Sequence, residues 1–142
     1  NVNLTHLGRA CLGEQGLDAT LAEHAVAIVH DVMASDVWRR AHASPWRFSE
    51  IPFQTLMPPD PGAISAVPTI LRGVIDLVFR EADGWVVLDY KTDSRSEAEL
   101  PALVAHYRGQ MKNCADFWQA TVGEPVVEQG LYFTHAKRYL RI

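Results

Sequence analysis

Asp76, Asp89 and Lys91 are the residues whose types and spacing could do chemistry. Asp76 interrupts the apolar run Val74–Phe79, Asp89 follows directly on Trp85–Leu88, and Lys91 comes two residues later. Strand side chains alternate with period two, so Asp89 and Lys91 point to the same face. Two half-buried carboxylates at cross-strand distance repel each other and cost desolvation energy. A hard divalent cation such as Mg²⁺ relieves that repulsion, since it favours one or two carboxylates plus waters and phosphate oxygens. A lysine beside it orients or polarises a nucleophilic water, or neutralises charge on a phosphate in transfer. The competing reading is a solvent-facing acidic pair with Lys91 as its salt-bridge partner; strands this apolar favour the cation site.

The acids meet only if a hairpin brings them together. Glu81-Ala82-Asp83-Gly84 separates the two runs, and Asp-Gly is a strong hairpin signal. A loop over 81–84 pairs Arg80 with Trp85 and sets Asp76 directly opposite Asp89. A two-residue Asp83-Gly84 turn leaves them diagonal on one face. Only an odd loop without a bulge separates them, because a one-residue slip flips every side chain.

The flanking elements follow from periodicity. From Asp18, Leu21, Ala25, Ile28, Val29 and Val32 recur at helix spacing, with Asp18 or Thr20 as cap. Ser35 and Asp36 suit a second N-cap before a short helix over 37–40. Residues 46–53 read as a strand that Pro52 confines to an edge, an end or a bulge, with Glu50 sharing parity with Trp46 and Phe48. Residues 57–68, rich in proline, read as a loop. After the hairpin, Leu100, Leu103, Val104, Tyr107, Met111, Cys114, Phe117 and Trp118 form one helical face, with Ser96 as cap and Pro101 in the first turn. Gln110 lies in that apolar stripe and needs a polar partner, either backbone or a site. Gly123-Glu124-Pro125 ends the helix, and strand signals close the chain. Residues 1–16 give little periodic signal. The order predicts an α/β (α+β) domain: a small mixed sheet with a central β-hairpin, flanked by helices.

A chain of 142 residues buries a sizeable core and fits one domain. No apolar run is long enough for a membrane span, and no signal-peptide pattern opens the chain. It starts at Asn1 and not Met, so it reads as an excised piece of something longer. Cys11 and Cys114 have no metal-ligand spacing, which argues against a disulfide framework and a four-cysteine cluster. A chain with a net charge of −4 needs local basic patches or a basic partner domain if it is to hold a nucleic acid.

These residues resemble the PD-(D/E)XK nuclease superfamily, and within it the RecB/AddA-type C-terminal nuclease domain of helicase–nucleases. Gly73-Val74-Ile75-Asp76 matches the first acidic motif, and Asp89-Tyr90-Lys91-Thr92 looks like the D-x-K element. Glu50-Ile51-Pro52-Phe53 is similar to the E-x-P-F strand, and Tyr107-Arg108-Gly109-Gln110 to the start of the Y-x-x-Q-x-x-x-Y helix. Leu131-Tyr132-Phe133 resembles the last strand. The resemblance covers about residues 46–134 and implies a restriction-endonuclease-like core.

It further implies that Asp76 and Asp89 hold Mg²⁺ or Mn²⁺ with the Tyr90 carbonyl, and that Lys91 assists the attacking water. Glu50 supports a metal-bound water or a second ion, and Tyr107 and Gln110 position a DNA strand. The expected activity is metal-dependent DNA exonuclease cleavage in double-strand-break repair and recombination. The expected setting is cytoplasmic, with a helicase domain in the same parent chain and an AddB/RecC-like partner subunit. The sequence departs from the family in two places: Cys114 stands where the helix motif ends in Tyr, and His6, His24 and His30 are poor matches to the family's N-terminal histidine. The chain is therefore expected to begin after that helix. A catalytically silent module for DNA guiding or protein docking is the alternative. A sequence-specific restriction endonuclease shares the core, but leaves little room here for recognition elements.

Overall fold

The structure is a computed structural model that describes residues 3–57 and 68–142; most of the expected proline-rich loop lies outside them. A five-stranded sheet runs β1 (Arg47–Met57), β2 (Thr69–Glu81), β3 (Gly84–Lys91), β4 (Val126–Phe133) and β5 (Arg138–Arg141), in that spatial order. Only β3 and β4 are parallel, and α4 (Leu100–Val122) is the crossover that a parallel pair requires. The sheet is thus mixed and α/β, as expected.

Arg80 pairs with Trp85 and Glu81 with Gly84, so the register is the one that sets Asp76 opposite Asp89. The turn itself is shorter than the four-residue loop, only Ala82-Asp83. Gly84 opens β3 at φ 147°, where a Cβ would lie 2.6 Å from the Pro125 carbonyl. That contact explains why glycine stands at this position.

The stripe on α4 packs on one face of the sheet. Leu100, Leu103, Met111, Cys114 and Trp118 join Phe53, Ile75, Val78, Trp85, Val87, Leu131 and Phe133. A capping box of Ser96 and Glu99 starts the short turn that leads into α4, and Gly123 ends it in the left-handed conformation. The opposite face is covered by α3 (Asp36–Ala43), whose Val37 and Ala41 meet Leu77, Phe79, Val86, Leu88 and Tyr132. Ser35 caps α3 through Trp38 N–H, as its sequence suggests.

Three features were not foreseen in the sequence. A helix, α1 (Leu4–Glu14), occupies the stretch without periodic signal; Asn3 caps it, and it packs on α2 (Ala22–Ala34). The apolar stripe of α2 is only partly covered: Val29 and, just before the helix, Leu21 are exposed, while Val32 reaches the α3-side core. Residues 126–133 form one continuous strand, with a bulge against β3 near Trp85 and Val86.

Candidate active site

The site lies where the sheet changes parity. Below the break, Phe48 of β1 approaches Trp85 and Trp118 on the α4 side, with ring centroids 6.2 and 5.8 Å away. Above it, Phe53 stacks on Phe117 at 4.8 Å on that same side. An even position and then an odd one face α4, which a regular strand cannot do. β2 makes the same switch, since Ile75 and Val78 both reach the α4-side core. The switch falls at Glu50, whose φ is 55°, and at Asp76 facing it. Both residues are skipped in the β1–β2 ladder, and the β2–β3 ladder ends at Leu77 and Leu88. The opening leaves Asp76, Asp89 and Glu50 beside one another on three neighbouring strands.

Asp76 Oδ2 accepts a hydrogen bond from Tyr90 N–H at 2.8 Å, taking the place of a ladder carbonyl. Burial pushes its carboxyl above the ordinary value; Tyr90 N–H pulls it back, Asp89 and Glu50 push it up, and Lys91 pulls it down. The two strand acids therefore sense each other as like charges.

Asp89 is buried, and Gln110 Nε2 donates to its Oδ1 at 3.1 Å. Lys91 Nζ stands 2.7 Å from Asp89 Oδ2. That ion pair is the partner of this buried oxygen. Lys91 Nζ donates to Gln110 Oε1 at 3.1 Å, closing a ring of Asp89, Gln110 and Lys91. Gln110 thus leaves the apolar stripe of α4 to partner the site. Tyr107 lies with its ring centroid 3.9 Å from Lys91 Nζ.

The structure brings together Asp76, Asp89, Lys91, Tyr107 and Gln110, with Glu50 exposed at the edge. Tyr90 contributes its N–H to Asp76, and its ring turns away to Tyr132, 6.2 Å between centroids. His6, on α1, and His24 and His30, on α2, are exposed. Among the described residues, no group of three His, Cys, Asp or Glu side chains is close enough to hold a metal ion, so no histidine joins the acids. The arrangement still suits a divalent cation that takes few protein ligands: neighbouring carboxylates, one of them pushed up by burial and by the other acids, with a single lysine against them.

Sequence reasoning assigned no role to Asp93 and flagged Cys114 only as a departure from the helix motif. Asp93 accepts the Tyr107 hydroxyl at 3.0 Å; its position two residues beyond Lys91 on the same parity was the available signal. Cys114 is buried near the site, its thiol pushed up to about 11 by burial and by the charges of Asp89 and Asp76. With Gln110, Asn113, Phe53 and Arg72 it lines a groove of about 360 Å³ between α4 and the β1–β2 arm.

Comparison with known proteins agrees with this geometry. A family model described as the PD-(D/E)XK nuclease superfamily matches residues 7–140. An ATP-dependent helicase/nuclease subunit of Clostridium perfringens strain SM101 is 35% identical over 102 residues, covering 67% of this chain and 8% of that protein. The protein of the same name in Geobacillus thermodenitrificans is 32% identical over 121 residues, 77% of this chain and 10% of its own length. The Syntrophomonas wolfei counterpart is 28% identical over 142 residues, 92% and 11%. The chain spans about a tenth of the length of the curated relatives it matches.

Proposed function

The chain belongs to the PD-(D/E)XK nuclease superfamily, and from that premise we propose that it is a metal-dependent deoxyribonuclease domain cleaving phosphodiester bonds in DNA. The observation that carries the reading is the meeting of Asp76, Asp89 and Lys91 at the break in the sheet. Asp76 and Asp89 would hold Mg²⁺ or Mn²⁺ with the Tyr90 carbonyl. When bound, the ion supplies charge neutralisation at the phosphate and activation of water. Lys91 presents an ammonium to the same space, where it orients the attacking water or stabilises charge on the phosphate oxygens. Gln110 bridges Lys91 and Asp89, fixing the distance between the positive and negative groups. Glu50, at the exposed rim, supports a further water or a second ion. Tyr107 and Gln110 face the space a DNA strand would occupy.

The helicase/nuclease names of the relatives support a place in an ATP-driven helicase/nuclease, and in this reading that enzyme processes DNA ends during double-strand-break repair and recombination. In this reading the domain acts as an exonuclease in the cytoplasm, with a helicase domain in the same parent chain and an AddB/RecC-like partner subunit. Among the described residues, no helix is long and apolar enough to cross a membrane.

The test is cleavage of end-labelled linear DNA with Mg²⁺ or Mn²⁺, run in parallel on wild type, Asp89→Ala and Lys91→Ala. The expected result is cation-dependent cleavage in wild type alone. Equal cleavage by all three sinks the reading. DNA binding without cleavage by any of them indicates a silent guiding module.

A further inference from the structure

Lys91 carries a four-carbon stem whose ammonium has no preferred direction of its own. Two contacts hold it within the Asp89–Gln110 ring. The third is apolar in kind: Tyr107 presents the face of its ring, with its centroid 3.9 Å from Nζ. An aromatic face carries negative charge density and attracts a cation at this distance. The hydroxyl of that ring donates to Asp93 Oδ2 at 3.0 Å. Asp93 thereby fixes the tilt of the ring, and by drawing on the phenolic proton it enriches the ring's electron density toward the ammonium. Asp93 shares the parity of Asp89 and Lys91, so one short segment, 89–93, contributes the acid, the lysine and the anchor of the aromatic face.

We propose that Tyr107 is a positioning residue for the Lys91 ammonium and that Asp93 positions Tyr107. The proposal rests on the nuclease reading for the use made of Lys91, and deepens it by assigning a role to Tyr107 other than contact with the DNA strand. A strand contact needs a free ring face or a free hydroxyl. Here one face meets Lys91 and the hydroxyl is taken by Asp93, so both groups are committed to the site whether or not the other face meets the DNA strand.

The experiment is carried out on the full chain with lysine labelled at the ε-carbon, comparing wild type, Tyr107→Phe, Tyr107→Leu and Asp93→Ala. In wild type the Lys91 ε-methylene protons should resonate upfield of the other lysines, through the ring current of Tyr107. Tyr107→Phe and Asp93→Ala, which both remove the hydroxyl–carboxylate bond, should each reduce the upfield shift, and Tyr107→Leu should abolish it, while the remaining spectrum stays that of the folded chain. In DNA cleavage, Tyr107→Leu should lower kcat by about 3- to 30-fold, the span of a cation–π contact between exposed and desolvated settings. KM for DNA should stay unchanged, and Tyr107→Phe should recover most of kcat. A Lys91 signal without upfield shift in wild type overturns the proposal, as does a Tyr107→Leu variant that raises KM and leaves kcat intact. An unaltered shift in Asp93→Ala overturns the role given to Asp93. Absence of cleavage in every variant would count against the nuclease reading and leave the spectroscopic result standing on its own.

Discussion

Asp76→Asn separates the two demands made on that residue. The amide keeps an oxygen for Tyr90 N–H but carries no charge. A hydrogen bond to a charged acceptor is worth about 1.5–3 kcal/mol and a neutral one about 1 kcal/mol, so the exchange weakens this bond by about 1 kcal/mol. Against that loss stands the charge itself, half-buried beside Asp89 and Glu50. The carboxyl is raised from its ordinary value of 3.8 even with the Tyr90 bond and Lys91 opposing, so the folded state disfavours the ionised form. Between the unfolded and folded pKa values the folded chain then binds more protons, and stability falls as pH rises through that window. Above it, a neutral isostere is the better tolerated group. Net of the weakened hydrogen bond and of solvent screening at a half-exposed position, the neutral group should gain at most about 0.5–1 kcal/mol. In a chain of 142 residues that corresponds to a Tm about 2–4 °C higher at pH 7.

Thermal unfolding followed by circular dichroism measures this directly, at pH 3 and pH 7, with and without Mn²⁺. Below 3.8 the wild-type carboxyl is protonated in both states and the two proteins should converge. With Mn²⁺ at about a hundred times its dissociation constant, wild type should gain about 2.7 kcal/mol and overtake the variant. An Asp76→Asn protein less stable than wild type at pH 7 without metal would refute the reasoning, as would a gap independent of pH.

Other consequences follow from the same structure. Arg40 donates to Glu81 at 2.8 Å and to Glu128 at 2.8 Å, and Glu128 also accepts from Tyr139, so Arg40→Met should cost about 1–3 kcal/mol in urea denaturation, mostly through the buried Glu128. Burial raises the Glu128 carboxyl, but the bonds from Arg40 and Tyr139 outweigh it and leave it below the ordinary value of 4.5. Its contribution is therefore complete above 4.5 and lost as pH falls through the lower folded value, and Arg40→Met should flatten that acid limb. Gly73→Ala places a Cβ 2.7 Å from the Phe53 ring, so it should destabilise by about 1–3 kcal/mol through overpacking and displace Phe53 from Phe117. Glu50 sits at φ 55°, so Glu50→Gly should unfold at a higher temperature than Glu50→Ala, the reverse of their order in an ordinary strand.

The hairpin was legible because its pattern is local. Two apolar runs and a turn between them fix register by parity, and both even registers put Asp76 and Asp89 on one side. The α4 face was legible for the same reason, and Gln110 announced itself as the polar residue in an apolar stripe. The parity switch at Glu50 and Asp76 was not, because it depends on a positive φ at a non-glycine residue and on two strands changing together. α1 packs on α2, and its sequence, interrupted by the poor helix formers Gly8 and Gly13, did not announce a helix. The Arg40–Glu81–Glu128–Tyr139 cluster joins residues from four elements, so nothing in local spacing announces it. Tyr107 was legible as a site residue, but its engagement with Asp93 and Lys91 needed coordinates.

Calorimetric titration of Mn²⁺ into the metal-free chain tests most directly whether Asp76 and Asp89 share a cation. The account predicts saturable binding heat in wild type, and its loss in both Asp76→Ala and Asp89→Ala while each variant remains folded. Binding of the same affinity in both variants would contradict it, because the ion would then be held by residues away from the break in the sheet.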